Sequence, residues 1–269
     1  MYRLVALDLD DTLLDKNLEV PAGNKEIVSE VMARGIYVTL ATGRMFRSSL
    51  PLARELQIKA PLITYQGALV KHSDTGEVLF HRPVPLDYAL DIVSRVGKYG
   101  YHINIYLDDY LYVAQDTEAG RRYASLSRIP LEVVGDLGRF LISRQQDPTK
   151  VLVVSTEPRL DELAAELKPI YSDKLHITKS KPHFLEFSHP LANKGHALEA
   201  VADYYGVPRE KVMAVGDSYN DLEMIDWAGL GVVMGNARKE IKDRADYVTL
   251  PNDKDGVGHA MRKFVLSKQ

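Results

Sequence analysis

The sequence predicts an α/β protein built around a doubly wound parallel sheet, with a smaller α+β domain inserted into it. Near both ends of the chain, short apolar runs alternate with segments of helical spacing, which is the pattern of parallel strands joined by helices. In the intervening segment, apolar and polar residues alternate as they do in half-buried strands. Prolines mark both junctions between this segment and the rest of the chain. A chain of 269 residues, 45% of them apolar, is long enough for two unequal cores.

The first and last segments of the chain carry the parallel-sheet pattern. Leu4 to Leu7 form an apolar run that is too short for a helix and therefore indicates a buried strand. The helix that follows is entered through Pro21 and stopped at Gly35. The first segment is expected to contain strands at 3–9, 36–41 and 62–65 and helices at 27–32 and 46–56. The last is expected to contain strands at 212–215, 230–234 and 247–250 and helices at 194–205, 221–228 and 237–244.

The middle segment has a different pattern of predicted strands and helices. Strands at 102–106 and 110–114 flank Asp108-Asp109 and predict a hairpin. Further elements are expected as helices at 86–96 and 160–170 and strands at 151–155, 175–178 and 184–187. Pro83, Pro85 and Pro190 mark the two junctions. The predicted domains are therefore a discontinuous core of residues 1–82 and 188–269 and an inserted α+β domain of residues 83–187.

Composition excludes several classes of function. The formal charge of −3 gives the chain no net positive charge with which to attract a nucleic-acid backbone. No apolar run approaches the roughly 18 residues that a membrane-spanning helix needs. The N-terminus lacks the pattern of a secretion signal, so we expect a cytoplasmic protein. Because the chain has no cysteine, disulfides, thiolate metal sites and a cysteine nucleophile are excluded.

Three carboxylates follow the first predicted strand in Asp8-Leu9-Asp10-Asp11-Thr12-Leu13. In open α/β sheets, ligands bind at the carboxyl ends of strands. Strand side chains alternate, so Asp8 and Asp10 begin on the same side, where their charges repel unless a metal or a shared proton intervenes. A turn capped by acidic side chains explains one Asp but not three.

A second acidic motif, Gly216-Asp217-Ser218-Tyr219-Asn220-Asp221, follows the predicted strand at 212–215. Asp217 or Ser218 could cap the next helix, but capping accounts for only one of these residues. Acids that converge from separate strands are typical of a hard-cation site, and oxygen ligands alone favour Mg²⁺. The sequence therefore predicts a magnesium site at this sheet edge.

Two further groups could hold a phosphate. Thr42-Gly43-Arg44 joins a strand to a helix, where a hydroxyl and free backbone N–H groups can bind an anion, although an ordinary strand-to-helix turn has the same residues. Lys194 begins a predicted helix. A cation is unfavourable there unless an anion lies nearby, which favours a phosphate ligand over a solvated surface lysine.

These motifs together resemble a known family. Asp8-x-Asp10-x-Thr12-Leu13, Thr42, Lys194 and Gly216-Asp217-x-x-Asn220-Asp221 occur in the order of the four motifs of the haloacid dehalogenase superfamily. The chain resembles its Cof-type phosphatases with a class II subtype B cap, in which the core is Rossmann-like. Asp11 stands where that family more often has glycine.

The resemblance implies a Mg²⁺-dependent phosphatase of small phosphate monoesters, with sugar phosphates as the expected class. Asp8 would be the nucleophile that forms an aspartyl phosphate, and Asp10 the general acid and base. The implied metal ligands are Asp8, the backbone carbonyl of Asp10 and Asp217, with Asp221 nearby. The implied phosphate cradle comprises Thr42, Lys194, Asn220 and the backbone amides of Leu9 and Gly43.

Two other functions remain open at this stage. A phosphosugar mutase would use the same nucleophile but would have to keep its phosphoryl group from water. A non-catalytic sensor of phosphorylated metabolites would need the cradle but not the general acid Asp10. The sequence leaves the individual substrate and the oligomeric state open.

Overall fold

The computed structural model of the chain describes residues 1–267 and confirms the predicted α/β class. The chain divides into two compact units, one formed by residues 1–80 together with 193 onward, and the other by 81–192. The second unit extends to residue 192, five residues beyond the predicted boundary at 187, which lies within the strand Phe184–Ser188. No helix within residues 1–267 combines the length and apolar character that crossing a bilayer requires.

The strands are, in chain order, β1 (Leu4–Leu7), β2 (Tyr37–Leu40), β3 (Pro61–Thr64), β4 (Leu69–His72), β5 (Val78–His81), β6 (His102–Leu107), β7 (Tyr110–Val113), β8 (Leu131–Val133), β9 (Lys150–Val154), β10 (His176–Lys181), β11 (Phe184–Ser188), β12 (Val212–Gly216), β13 (Leu230–Val233) and β14 (Tyr247–Val248). The helices are α1 (Ala22–Ala33), α2 (Phe46–Glu55), α3 (Leu86–Gly97), α4 (Glu118–Ser127), α5 (Leu137–Arg144), α6 (Glu157–Tyr171), α7 (Lys194–Tyr204), α8 (Leu222–Trp227), α9 (Lys239–Lys242) and α10 (Gly256–Met261).

A parallel sheet of order β14-β13-β12-β1-β2 forms the centre of the first unit. Leu4 to Leu7 of β1 are fully buried, as the apolar run predicts for a strand covered on both faces. In the β1–β12 register Leu7 pairs with Val215. The two strands therefore end together, and the residues that follow them, Asp8 and Asp217, emerge at one edge of the sheet.

The strand predicted at 62–65 does not simply extend this parallel sheet. It forms β3, which pairs antiparallel with β4 in a three-stranded sheet of order β3-β4-β5 and meets the parallel sheet through a single bridge between Ala41 and Ile63. β4 and β5 were not predicted, although the turn between them contains Gly76 at φ 73°. β3 ends at Thr64 because the next residues adopt left-handed backbone conformations.

The inserted unit is built on a six-stranded sheet of order β10-β11-β9-β6-β7-β8. The predicted hairpin is confirmed: β6 and β7 are antiparallel, and Asp108 and Asp109 turn the chain at φ 51° and 61°. Alternate residues of the sheet, such as Ile103, Val151 and Phe187, share an apolar core with α3, α5 and α6. The sequence patterns missed α4, β8 and α5, and they overestimated the lengths of α9 and β14.

Candidate active site

The loop that follows β1 turns sharply at its acidic motif. The Leu14 N–H donates to the Leu9 carbonyl over 2.9 Å and closes the turn. Asp11 lies in the left-handed region at φ 59° and ψ 9°. Glycine adopts this conformation without steric cost, and Asp and Asn are among the few other residues that tolerate it. The backbone therefore accommodates Asp11 at a position where the sequence resemblance leads us to expect glycine.

Three asparagine side chains from other parts of the chain form hydrogen bonds with this loop. Each donates its Nδ2 hydrogen to a backbone carbonyl of the turn: Asn236 to Asp11 (2.8 Å), Asn24 to Leu13 (3.0 Å) and Asn252 to Leu14 (3.1 Å). The Asn236 amide is itself oriented, since its Oδ1 accepts from the Asn252 N–H. The carbonyl of Asp11 is thus fixed in direction, which stabilises its left-handed backbone.

The structure brings together four of the predicted site residues from β1, β12 and α7. Asp8, Asp217 and Asp221 each offer an oxygen, and these atoms lie within 4.8 Å of one another. Lys194 has no exposed surface, and its Nζ donates to Asp8 Oδ1 (2.7 Å) and to Asp221 Oδ1 (2.5 Å). The cluster is therefore an acidic site with one buried cation at its base.

Asp221 also organises the turn after β12. Its Oδ2 accepts from the backbone N–H groups of Asp217 and Ser218, each over 3.0 Å. A side chain at Gly216 would come within 2.5 Å of the Asp221 carboxyl carbon, so glycine is needed there. Both Asp221 oxygens are therefore engaged within the protein, whereas the Asp217 carboxylate accepts a long 3.4 Å hydrogen bond from Thr12.

Burial and crowding dominate the electrostatics of the cluster. Burial, reinforced by the charge of Asp221, raises the pKa of Asp8 to about 8 against the opposing effect of Lys194. Burial, together with the charges of Asp221 and Asp11, raises the pKa of Asp217 to about 7. Burial alone would lower the pKa of Lys194, but Asp221 and Asp8 outweigh it and hold that pKa above its ordinary value. The cluster carries more negative charge than one lysine offsets.

The Asp10 side chain is not part of this group of three carboxylates and pairs with an arginine. Arg44 donates from Nε to Asp10 Oδ2 (2.9 Å) and from Nη2 to Asp10 Oδ1 (2.5 Å), a bidentate contact with the Asp10 side chain about half exposed. The sequence assigned no role to Arg44. Its neighbour Thr42 is fully buried and accepts from the Arg44 N–H through its hydroxyl.

The loop after β3 contributes a residue that sequence reasoning missed. Gln66 Oε1 accepts from Asn220 Nδ2 over 2.8 Å, so the predicted phosphate ligand Asn220 is held by a neighbour. Gln66 Nε2 lies 2.4 Å from the position that a Cβ on Gly43 would occupy. A side chain at Gly43 would displace this amide. The only sequence signal was Gln66-Gly67 directly after an apolar strand.

Comparison with known proteins identifies similar sequences and structures along almost the whole chain. Residues 5–261 match the family model of haloacid dehalogenase-like hydrolases. The chain is 31% identical over 266 residues to the 5-amino-6-(5-phospho-D-ribitylamino)uracil phosphatase YitU of Bacillus subtilis, with 97% of each protein covered. It is 31% identical to the phosphatase YwpJ of the same organism, over 98% of this chain and 100% of the relative. The crystal structure of TM0651 from Thermotoga maritima superimposes with a TM-score of 0.90 at 34% identity, covering 100% of this chain and 99% of that one.

Proposed function

The chain belongs to the haloacid dehalogenase-like hydrolases and is a phosphoric monoester hydrolase, and from this premise we propose that it is a Mg²⁺-dependent phosphatase of small phosphate esters that works through an aspartyl phosphate. The observation that carries the proposal is the cluster at the edge of the parallel sheet. A fully buried lysine joins Asp8 to Asp221 there, with Asp217 beside them.

The donor set fits magnesium. Three carboxylates whose oxygens lie within 4.8 Å of one another offer only hard oxygen ligands. Burial and the charge of Asp221 raise the pKa values of Asp8 and Asp217, and a divalent cation would favour the ionised forms of both groups. Asp8 and Asp217 would hold the ion, with Asp221 beside them and the Asp10 carbonyl as a further donor. A bound Mg²⁺ would offset the repulsion between the Asp8 carboxylate and a phosphate dianion.

The protein's own groups supply the remaining steps. A carboxylate oxygen of Asp8 attacks phosphorus, the bond from phosphorus to the ester oxygen breaks, and Asp10 gives its proton to the leaving alkoxide. Water then attacks the phosphorus of the aspartyl phosphate and passes a proton to Asp10. The bond from phosphorus to the Asp8 oxygen breaks, so that inorganic phosphate leaves and the Asp8 carboxylate is restored. Lys194 and Thr42, with the amides of Leu9 and Gly43, stabilise charge on the phosphate oxygens.

Arg44 bears on the role of Asp10. Its bidentate contact orients the Asp10 carboxyl group before substrate binds. A general acid must release its proton toward the ester oxygen, so we expect Asp10 to exchange at least one of these hydrogen bonds during the reaction. A sensor of phosphorylated metabolites would have no use for a positioned acid, which supports an enzyme over that alternative.

For the substrate, we propose phosphates of sugars and of sugar-derived polyols. Sugar phosphates are the class implied by the sequence resemblance. YitU and two other relatives at 31% identity are named for a substrate that carries its phosphate on a D-ribityl group, so a polyol phosphate belongs in the same proposal.

A phosphate-release screen tests the proposal. The purified protein is assayed with sugar phosphates, a ribityl phosphate, nucleotides and cofactor phosphates, first with Mg²⁺ and then with EDTA, and the organic product is identified by mass spectrometry and NMR. We expect Mg²⁺-dependent release of phosphate with highest kcat/KM for a sugar or polyol phosphate. An isomeric sugar phosphate without free phosphate would show a mutase, and binding without turnover would show a sensor.

A further inference from the structure

The segment Tyr65-Gln66-Gly67 has an unusual backbone. The three residues have φ angles of 53°, 58° and 91°, so two consecutive residues other than glycine lie in the left-handed region. Side chains disfavour this region, and a long side chain such as that of glutamine gains no local hydrogen bond there, unlike Asn or Asp. Strained backbone persists only where its surroundings hold it, and it concentrates at functional sites.

The surroundings of this segment hold it firmly. The Tyr65 N–H donates to the Arg44 carbonyl (2.9 Å), and the Gln66 N–H donates to the Thr42 carbonyl (3.1 Å). On the other side, a Cβ on Gly67 would lie 2.1 Å from the Asn193 carbonyl oxygen, immediately before Lys194. The turn therefore packs between the loop Thr42-Gly43-Arg44, called the Thr42 loop below, and the start of α7. Both belong to the candidate active site.

The conformation directs the Gln66 side chain between two residues of the predicted phosphate cradle. Oε1 accepts from Asn220, and Nε2 lies against Gly43. Within residues 1–267, no acceptor takes a hydrogen bond from Nε2, and the residue is partly exposed. An amide donor is thus oriented by one cradle residue and left available beside another.

We propose that Gln66 is a phosphate-binding residue: its Nε2 donates a hydrogen bond to the transferred phosphoryl group, while its Oε1 holds Asn220 in place. This inference rests on the proposed phosphatase function and adds a ligand that none of the sequence motifs contains. The left-handed backbone at Gln66 is then the conformational cost of directing the amide into the cradle.

Glycine substitution separates this role from a structural one, because glycine adopts a left-handed backbone without steric cost. Gln57 is a matched control, since it is an exposed glutamine at φ 57° at the end of α2. We expect Gln57→Gly and Gln66→Gly each to retain or raise Tm. Gln66→Gly should lower kcat/KM by about 10- to 100-fold, the range for a lost hydrogen bond to a charged group, whereas Gln57→Gly should stay within twofold of the parent. A kcat/KM for Gln66→Gly within twofold of the parent would overturn the proposal.

A second variant tests the inference without turnover. Gln66→Glu keeps the shape and the acceptor for Asn220 but replaces the donor with a negatively charged oxygen. Titration calorimetry with inorganic phosphate in the presence of Mg²⁺ should give a Kd at least about tenfold higher than that of the parent, as expected when a hydrogen bond to an anion is lost. An unchanged Kd would refute the role of Gln66. If the parent protein hydrolyses no ester, the proposed function fails, but the calorimetric comparison still decides whether Gln66 binds phosphate.

Discussion

Lys194 provides the most direct test of the electrostatics of the site. Its Nζ has no exposed surface and donates to two carboxylates, Asp8 at 2.7 Å and Asp221 at 2.5 Å. Lys194→Met keeps an unbranched chain of similar volume but removes the charge. The two carboxylates would then face each other without a cation between them, although the backbone N–H groups of Asp217 and Ser218 would still donate to Asp221 Oδ2.

The expected loss of stability follows from the burial of this pair. Removing one partner of a buried ion pair costs about 3–5 kcal/mol because a buried charge is left uncompensated. For a folding unit of this size, each kcal/mol lowers Tm by about 2–4 °C, so the metal-free variant should melt about 6–20 °C below the parent at pH 8. Turnover should be lost as well, since the phosphate cradle loses its cation.

The loss should depend on pH in a defined direction. Burial already raises the pKa of Asp8 to about 8, and a carboxyl group with a raised folded-state pKa takes up a proton on folding. Such a group lowers stability progressively as the pH rises from its unfolded pKa near 4 to its folded pKa. Without Lys194 the pKa of Asp8 rises further. Below pH 8 the Asp8 carboxyl group holds its proton in both folded proteins, so the difference in Tm between parent and variant should change little there and should grow above pH 8, where the parent's Asp8 ionises first.

Differential scanning calorimetry in EDTA at pH 7, pH 8 and pH 9 measures both effects. Lys239→Met is the matched control, because Lys239 makes an ion pair of the same 2.7 Å length with Asp243 but is 84% exposed. We expect no resolvable change in Tm for this control, as surface ion pairs contribute little. A Lys194→Met variant that melts with the parent at pH 8, or whose Tm deficit shrinks as pH rises, would refute this account of the buried cluster.

Three further predictions concern the metal, the two motif carboxylates and the asparagine contacts. EDTA should abolish turnover and Mg²⁺ should restore it; full activity of the metal-stripped protein would contradict this. Asp217→Asn should weaken metal binding measured by calorimetry and leave the circular dichroism spectrum unchanged. Asp8→Asn should form no phosphoenzyme. Asp10→Asn should form the phosphoenzyme about 10²–10⁴-fold more slowly with an alkoxide leaving group and much less slowly with p-nitrophenolate, as quenched-flow kinetics can measure; equal losses in this step across leaving groups would mean that these roles are wrong. Asn236→Ala should lower kcat about 3- to 10-fold, the range for one lost hydrogen bond. Adding Asp11→Gly to this variant should restore most of the lost kcat, because glycine needs no support in the left-handed region. If steady-state assays show no rescue in the double variant, that explanation is excluded.

Local patterns in the sequence were enough to predict the class of fold and the sheet edge at which the acidic residues lie. Short apolar runs followed by carboxylates are local features, and the carboxyl ends of neighbouring parallel strands must meet at one sheet edge. This reasoning brought Asp8 and Asp217 together without coordinates, and the β1–β12 register agrees with it. The order of the motifs added Lys194, whose burial between two carboxylates no local pattern could have established.

The pairing of the groups around that cluster, in contrast, depends on how distant loops pack in three dimensions. The contacts of Arg44 with Asp10, of Asn220 with Gln66 and of Asn236 with Asp11 join residues 34, 154 and 225 positions apart. No hydrophobic period encodes such pairs, because their partners are chosen by the packing of separate loops. The same is true of the backbone at Gln66: side chains disfavour a left-handed conformation, so it exists only because the Thr42 loop and the start of α7 close around it.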